Sequence, residues 1–94
     1  MCSVYLLHFA RPVGGRFRHY VGQTERADVM DRINEHRAGR GSRLTRGAVA
    51  AGIEIVLARV WKDMPRAYEQ QVKRRGGLRR LCPVCNIGKQ QEGG

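Results

Sequence analysis

Two short strand patterns near the start of the chain constrain its fold more than any other feature. Residues 3–9, SVYLLHF, and residues 17–21, FRHYV, are rich in the β-branched and aromatic side chains typical of strands. The segment between them, ARPVGGR, contains one proline and two glycines, which favour a loop. The sequence therefore predicts an antiparallel hairpin in which each strand carries a tyrosine, Tyr5 and Tyr20.

The rest of the chain alternates helix and strand patterns that can cover such a hairpin. Asp28 leads a helical pattern to about residue 37 or 38, and Gly39 follows it as a C-terminal cap. A shorter helix is expected over residues 45–51. Residues 53–61, IEIVLARVW, form the clearest strand pattern.

A third helical pattern follows the last strand. Asp63 is expected to cap this helix, with Pro65 in its first turn, where the missing N–H costs nothing. Its apolar residues Met64, Tyr68 and Val72 stand four apart, and the pattern ends at two glycines, residues 76–77. The order β-β-α-α-β-α predicts an α+β fold in which antiparallel strands are covered by helices.

Length and hydropathy limit the kind of protein further. A chain of 94 residues makes one domain, expected over residues 1–88, with a frayed tail over residues 89–94. No apolar run approaches the roughly 18 residues of a membrane helix, and the first residues lack the pattern of a signal peptide. The sequence therefore predicts a cytoplasmic location without a membrane partner.

Positive charge is the strongest signal in the composition. Lys and Arg total 18 against 8 Asp and Glu, which gives a formal net charge of +10. Only three of the 18 are Lys, so 15 are Arg, whose planar fork matches phosphate bidentately. A strongly basic small domain indicates a nucleic-acid partner, with a solvated basic surface from an Arg-preferring genome as the alternative.

Five polar residues with catalytic chemistry are expected to lie near one another. Arg32 and His36 are four residues apart on the first helix and share a face. Tyr20 ends the strand that leads into this helix, Tyr5 lies on the paired strand, and Glu69 lies on the third helix. Each also has an ordinary explanation: strand tyrosines, a solvated helix face, and an ion pair between Glu69 and the residue one turn later.

This set fits phosphodiester hydrolysis. Arg32 can hold a phosphate bidentately, and a divalent metal ion allows water to attack at neutral pH. Mg²⁺ needs only one or two carboxylates besides substrate phosphates, so Glu69 alone suffices. A phenol becomes a proton acceptor only where a cation lowers its pKa.

The order of these residues resembles the GIY-YIG nuclease superfamily. Residues 3–5, Ser-Val-Tyr, stand where the family has Gly-Ile-Tyr, and residues 20–22, Tyr-Val-Gly, stand where it has Tyr-Ile-Gly. The resemblance covers residues 3–86. Its further matches are Arg32-Ile33, His36, Gly39, the basic turn over residues 39–45, the helix over residues 68–74, and PVCN at residues 83–86.

The resemblance implies a three-stranded antiparallel sheet flanked by helices and one Mg²⁺ or Mn²⁺ ion on Glu69. It implies that Tyr5 accepts a proton or positions the water, supported by Tyr20. It further implies that Arg32 binds the scissile phosphate and that His36 assists proton transfer or holds the phosphate. The family includes the nuclease domain of an excision-repair endonuclease, so DNA and DNA repair are favoured, with RNA left open.

Further residues are expected to bind nucleic acid. Basic side chains beside the site contact phosphates and set affinity and salt dependence, not sequence preference. The resemblance adds an asparagine that closes the site in some members. The predicted set is Arg37, Arg40, Arg43, Arg46, Lys73, Arg74, Arg75, Arg79 and Asn86.

This chain departs from the family in four places. Ser3 replaces a glycine, Gln23 stands where some members have a lysine, the loop after Tyr20 is longer, and extra residues precede Asn86. The loss of a lysine puts the rate in doubt and leaves the fold as expected.

Cys82 and Cys85 have the spacing of half a zinc site. A structural zinc ion needs four ligands, and Cys2 with one of His8 or His19 would complete the set. A buried thiol pair is the favoured interpretation over zinc.

Three functions follow from these patterns. The first is a metal-dependent DNA endonuclease that recognises the structure of its substrate, since no further DNA-binding domain is present to read sequence. The second is a non-catalytic nucleic-acid-binding module with the same fold. The third is a zinc-stabilised adaptor that binds a protein partner. The oligomeric state is left open.

Overall fold

The predicted hairpin is present, and both of its strands are longer than predicted. The structure, a computed structural model, describes residues 2–75 and 77–85. Strands β1 (Cys2–Val13) and β2 (Phe17–Thr24) pair antiparallel. Gly14 and Gly15 turn the chain with φ of 61° and 71°, values that favour glycine. The predicted loop is wrong over residues 10–13, because the Ala10 N–H donates to the Glu54 carbonyl (3.0 Å) and prolongs the strand pairing.

A third strand completes the sheet. Strand β3 (Ile55–Met64) pairs antiparallel with β1, and the strand order is β2-β1-β3. The prediction of an α+β fold with a three-stranded antiparallel sheet is confirmed. Because β1 is central, both of its faces are covered, and its residues 4–9 are all buried.

Four helices cover the sheet, and their caps explain where the first two begin. These helices are α1 (Val29–Arg37), α2 (Arg43–Ala50), α3 (Ala67–Arg75) and α4 (Leu78–Leu81). The Asp28 carboxylate accepts from the Met30 N–H (2.9 Å), as the sequence predicts. Helix α2 begins two residues earlier than predicted because the Ser42 hydroxyl caps it, accepting from the Thr45 N–H (3.2 Å).

The predicted cap of the third helix is wrong. Asp63 lies in β3 with a left-handed φ of 56°, and α3 begins only at Ala67. The chain leaves the strand through a turn in which the Tyr68 N–H donates to the Pro65 carbonyl (2.9 Å). Met64 therefore belongs to the strand, although it packs in the same hydrophobic cluster as Tyr68 and Val72.

The sheet separates two layers. The front layer is α1 with α2, which packs on Tyr5, Leu7 and Phe9 of β1. The back layer is α3 with α4, which packs on Val4 and Leu6. Each buried aliphatic or aromatic side chain contributes about 1.5–3 kcal/mol, so both layers are needed to hold β1 in place. None of the four helices is long and apolar enough to cross a membrane.

Candidate functional site

A buried hydrogen-bond chain connects the sheet to both front helices. The Tyr5 hydroxyl lies 2.8 Å from His36 Nε2, and His36 Nδ1 lies 2.9 Å from Thr45 Oγ1. The three residues are 1%, 0% and 0% exposed. The sequence predicted Tyr5 and His36 as partners in one site, and the structure brings them into contact. Thr45 was not predicted as a site residue, although it is the last residue of the basic turn over residues 39–45.

The direction of the hydrogen bonds follows from the last acceptor. The Thr45 hydroxyl donates to the Ser42 carbonyl (3.1 Å), which can only accept. The Thr45 oxygen can then accept a hydrogen bond from His36 Nδ1–H. His36 Nε2 therefore carries a lone pair and accepts from the Tyr5 hydroxyl. Burial lowers the pKa of His36 to about 4, with a further decrease from the Arg32 charge and opposition from Glu35. His36 is therefore a neutral acceptor for Tyr5 at neutral pH.

Two glycines make room for this chain. Gly22 pairs directly with Tyr5 in the sheet, and a Cβ atom at Gly22 would lie 2.5 Å from the Tyr5 ring. A Cβ at Gly41 would collide with the His36 imidazole. The glycine of the Tyr-Val-Gly motif is thus required because the Tyr5 ring lies across it.

Tyr20 approaches the same imidazole from β2. It pairs with Leu7 and faces the front layer, and its ring lies edge-on to His36 with centroids 5.5 Å apart. The Tyr5 ring lies edge-on to His36 at 5.7 Å. Tyr20 is half-buried, so it is the more exposed of the two phenols. We call this group the front site; its members are Tyr5, Tyr20, His36 and Thr45.

Two charged residues act on the front site. Burial raises the pKa of Tyr5 to about 12, hydrogen bonding to Arg32 opposes the increase, and the charges of Tyr20 and Glu69 add to it. Arg32 and Glu69 therefore lie within electrostatic reach of the Tyr5 hydroxyl, although Glu69 belongs to the back layer. Of the five predicted catalytic residues, Tyr5, Tyr20 and His36 are in contact, and Arg32 and Glu69 affect the pKa of Tyr5.

Glu35 is a neighbour that the sequence analysis missed. Its carboxylate accepts from Arg32 (3.1 Å) and from Arg26 (2.9 Å). Hydrogen bonds from these two guanidinium groups lower the pKa of Glu35. The spacing of three residues from Arg32 on one helix was the available signal. Glu35 fixes one edge of the Arg32 guanidinium, whose side chain remains 29% exposed.

Glu69 has the ordinary partner that the sequence suggested as an alternative. Its Oε1 accepts from Lys73 Nζ (2.9 Å), and its side chain is 14% exposed. A lone carboxylate with hard oxygen donors is the kind of ligand that Mg²⁺ takes together with substrate phosphates. Glu69 thus fits the implied metal ion as its one protein ligand, with Lys73 competing for one oxygen.

The predicted nucleic-acid-binding residues divide between the layers. Arg37 donates twice to the Ile55 carbonyl (3.3 and 3.2 Å), which ties α1 to β3. Exposed residues of the front side are Arg40, Arg43 and Arg46, and those of the back layer are Lys73, Arg74, Arg75 and Arg79. Asn86 lies outside the described residues, as do residues 89–94 of the expected tail.

A second polar cluster lies on the back of the same hairpin. His8 Nδ1 lies 3.4 Å from His19 Nε2 and 3.5 Å from the sulfur atoms of both Cys82 and Cys85. Cys85 Sγ lies 3.3 Å from His19 Nε2, and the four ligand atoms all lie within 4.8 Å of one another. This group, called the back cluster below, can hold a metal ion, and its donors are most compatible with zinc.

The expected fourth ligand from Cys2 is wrong. Cys2 donates to the Gln23 side chain (3.1 Å) and to the Met64 carbonyl (3.4 Å), away from the back cluster. Both histidines, and not one of them, complete the set. Burial lowers the pKa of His8 and lowers that of His19 to about 4, and nearby cations add to both decreases, so both imidazoles are neutral at pH 7.

Comparisons with known proteins find no match for the chain. No protein-family model, no curated protein and no solved structure matches it. None of these comparisons supports the resemblance to GIY-YIG nucleases, which is a prediction from the residues of this chain alone.

Proposed function

We propose that the protein is a metal-dependent endonuclease that hydrolyses phosphodiester bonds, with DNA as the favoured substrate. One observation carries the proposal: the Tyr5 hydroxyl donates to buried His36 and lies within electrostatic reach of Arg32, Tyr20 and Glu69. These side chains come from two strands and two helices. Their combination matches what the resemblance to the GIY-YIG family implies.

Arg32 is assigned to the scissile phosphate. Its guanidinium is held on one edge by Glu35 and remains partly exposed, so the other edge can donate to a phosphate oxygen. The ion pair to Glu35 limits the rotamers of Arg32 before substrate arrives. Less conformational entropy is then lost when the phosphate binds.

Tyr5 is assigned to positioning the attacking water and relaying its proton. With its own proton donated to His36, the phenol oxygen can accept from a water molecule. As the water oxygen bonds to phosphorus, one of its protons passes to the Tyr5 oxygen while the Tyr5 proton passes to His36 Nε2. The phosphorus–oxygen bond to the leaving group breaks, and the leaving oxygen takes its proton from solvent. His36 is fully buried and acts through Tyr5, which favours proton transfer over contact with the phosphate.

Glu69 would hold the divalent metal ion, which would supply Lewis acidity at the phosphate and lower the pKa of a bound water molecule. This contribution is needed because the Tyr5 phenol has a pKa of about 12 through burial, and His36 is a weak base. Tyr20 lies beside His36 and is accessible from solvent, so it is assigned to support of Tyr5 at the substrate side.

The test is cleavage of labelled single-stranded, duplex, nicked and branched DNA at low salt with Mg²⁺ or Mn²⁺. Loss of a metal ligand removes several kcal/mol of transition-state stabilisation, so Glu69→Ala should lose about 10³-fold in rate. Arg32→Ala should lose a comparable factor. Glu54→Ala is the matched control, because Glu54 is an exposed carboxylate outside the predicted site, and this variant should cleave as the wild type does. Equal cleavage by wild type and Glu69→Ala would exclude the proposed site.

A non-catalytic nucleic-acid-binding module is the second candidate. The observation that favours it is that Arg32 and Glu69 both have partners inside the protein, Glu35 and Lys73. This candidate predicts salt-sensitive binding with no cleavage in either metal. Binding by folded wild type without any cleavage would therefore select it.

A further inference from the structure

We propose that the back cluster binds one zinc ion that ties the C-terminal segment, residues 77–85, to the β1–β2 hairpin. The ligands are His8 Nδ1, His19 Nε2, Cys82 Sγ and Cys85 Sγ. This zinc ion is separate from the divalent ion of the proposed nuclease reaction, and its role is structural.

Four of the six distances between the ligand atoms are those of a zinc tetrahedron. Zn–N bonds of about 2.0–2.1 Å and Zn–S bonds of about 2.3 Å place neighbouring ligands about 3.3–3.8 Å apart. The N–N distance in the back cluster is 3.4 Å, three of the four N–S distances are 3.3, 3.5 and 3.5 Å, and all four atoms lie within 4.8 Å of one another. A single ion can therefore contact all four atoms with little movement of the protein.

The donor set selects both the metal and its role. Two thiolates and two imidazoles form a closed four-ligand shell, the kind that structural zinc sites use, with no position left for water. Thiolate ligands disfavour Mg²⁺ and Ca²⁺, which take oxygen. Two thiolates also neutralise the ion. Burial and the neighbouring Cys82 raise the pKa of the Cys85 thiol, with the Arg79 and Arg18 charges opposing the increase, so the bound ion itself would have to displace the proton.

The fold brings the ligands together from three places. His8 and His19 are directly paired across β1 and β2, which places their Cβ atoms about 4.5–5.5 Å apart on the same face. A short helical stretch, residues 83–85, follows α4; Cys82 directly precedes it and Cys85 is its last described residue. Residues three apart on a helical turn point to the same side, so both sulfur atoms face the histidine pair.

A zinc ion would also explain how the short C-terminal segment, residues 77–85, is fixed to the β1–β2 hairpin. Helix α4 has four residues, and no side chain caps its N-terminus, where Gly77 stands. Its packing on the sheet depends on a few partly buried side chains, Leu78 and Leu81 among them. A bond between ligands 74 positions apart, His8 and Cys82, fixes the segment against the hairpin where this packing alone is weak.

The first experiment is elemental analysis of the full chain purified without added metal or chelator. The expected result is one zinc per chain in the wild type and in Cys2→Ser, a matched cysteine outside the cluster. Less than a tenth of that is expected in Cys82→Ser and in His19→Ala. Zinc retained by Cys82→Ser, or wild-type protein containing no zinc or an equivalent of iron, would overturn the proposal.

Cobalt substitution keeps the proposal testable if the ligand variants do not fold. Wild-type protein refolded with one equivalent of Co²⁺ should show the intense visible bands of tetrahedral cobalt and the near-ultraviolet thiolate band. Weak bands of octahedral cobalt, or none, would overturn the proposal. The readout does not depend on cleavage, and Glu69→Ala should bind zinc as the wild type does, which separates this test from that of the nuclease.

Discussion

The front site and the back cluster are built on the same two strands, but their polar side chains are satisfied in different ways. In the front site the Tyr5, His36 and Thr45 side chains form a chain of hydrogen bonds in which each group has a protein partner. In the back cluster four metal-ligand atoms converge. Tyr5 and Tyr20 face one side of the hairpin, and His8 and His19 face the other, because successive residues of a strand alternate between faces.

This difference indicates which of the two regions stabilises the fold and which would carry out the reaction. A buried polar chain whose members are all paired is stable without a ligand. Four converging donors, two of them thiols that must lose protons to bind metal, derive their stabilisation from the ion. We therefore expect the back cluster to control stability and the front site to control activity, and the following predictions test this division.

The largest expected effect is loss of a zinc ligand. Cys82→Ser should lower the free energy of unfolding by more than about 4 kcal/mol, the range in which loss of a structural metal falls. Tyr5→Phe, which leaves His36 Nε2 without its donor, should cost about 1–3 kcal/mol. Urea denaturation of both variants and of Cys2→Ser measures the difference. If Cys82→Ser and Cys2→Ser were equally stable, the comparison between the two regions would fail.

The second effect is on acid stability. The pKa of His36 is about 4 in the folded protein against about 6.5 when unfolded, so the unfolded chain takes up the proton first. This contribution is complete above pH 6.5, decreases as the pH falls from 6.5 to about 4, and is then lost. The wild type should lose up to about 3 kcal/mol relative to His36→Gln over this interval.

Comparison with His36→Gln isolates the front site from the zinc ligands, because these ligands titrate in both proteins. The groups that act on His36 are Arg32 and Glu35 from its own helix and Tyr5, Tyr20 and Thr45 from elsewhere. Of these, only Glu35 titrates near this interval, and it is present in both proteins. Parallel pH curves for the two proteins would mean that His36 is not held neutral.

The two regions also differ in how far the sequence predicts them. The presence and order of the strands, and α1 with its Asp28 cap, follow from local signals, although the strand ends differ from the prediction. Asp63 has the same local signal, yet it lies in a strand because pairing with β1 prolongs β3 to Met64. Tertiary pairing overrides a cap that is worth only about 1 kcal/mol.

The ligands of the back cluster required the strand register, which the sequence does not give. Counting back from the pair Val13–Phe17 at the turn, His19 would face Arg11 in a regular hairpin. An irregularity between His8 and Val13 shifts the register, so that His19 faces His8 instead. Cys2 is on the same face of β1 as His8 but lies six residues away, about 20 Å along the strand at 3.4 Å per residue.

The third prediction concerns the glycine beneath Tyr5. A Cβ at Gly22 would lie 2.5 Å from a ring that is itself packed on His36, so Gly22→Ala should destabilise the protein by about 1–3 kcal/mol. Gly47→Ala is the matched control, since its Cβ would meet Val13 at an ordinary 3.5 Å within a helix. This control should stabilise by about 0.5–1 kcal/mol.

Thermal or urea unfolding of the two glycine variants gives the sign of each effect, and their zinc content shows which region has changed. Gly22→Ala should keep a full equivalent of zinc, because Gly22 lies three pairs away from the His8–His19 pair. A Gly22→Ala protein that lost zinc would show that the two regions are coupled through β2.

The smallest effect is expected at Lys73. An exposed pair of this spacing contributes about 0.2–0.5 kcal/mol, so Lys73→Gln should change the free energy of unfolding by no more than that. The same change frees Glu69 Oε1 from its ammonium partner, so under the proposed function the Mg²⁺ concentration for half-maximal cleavage should fall about twofold, the same energy expressed as affinity. Metal titrations of cleavage by wild type and Lys73→Gln measure the shift. An increased Mg²⁺ requirement would mean that Lys73 orients the carboxylate instead of competing for it, and Glu69 would then depend on its neighbours as His36 does.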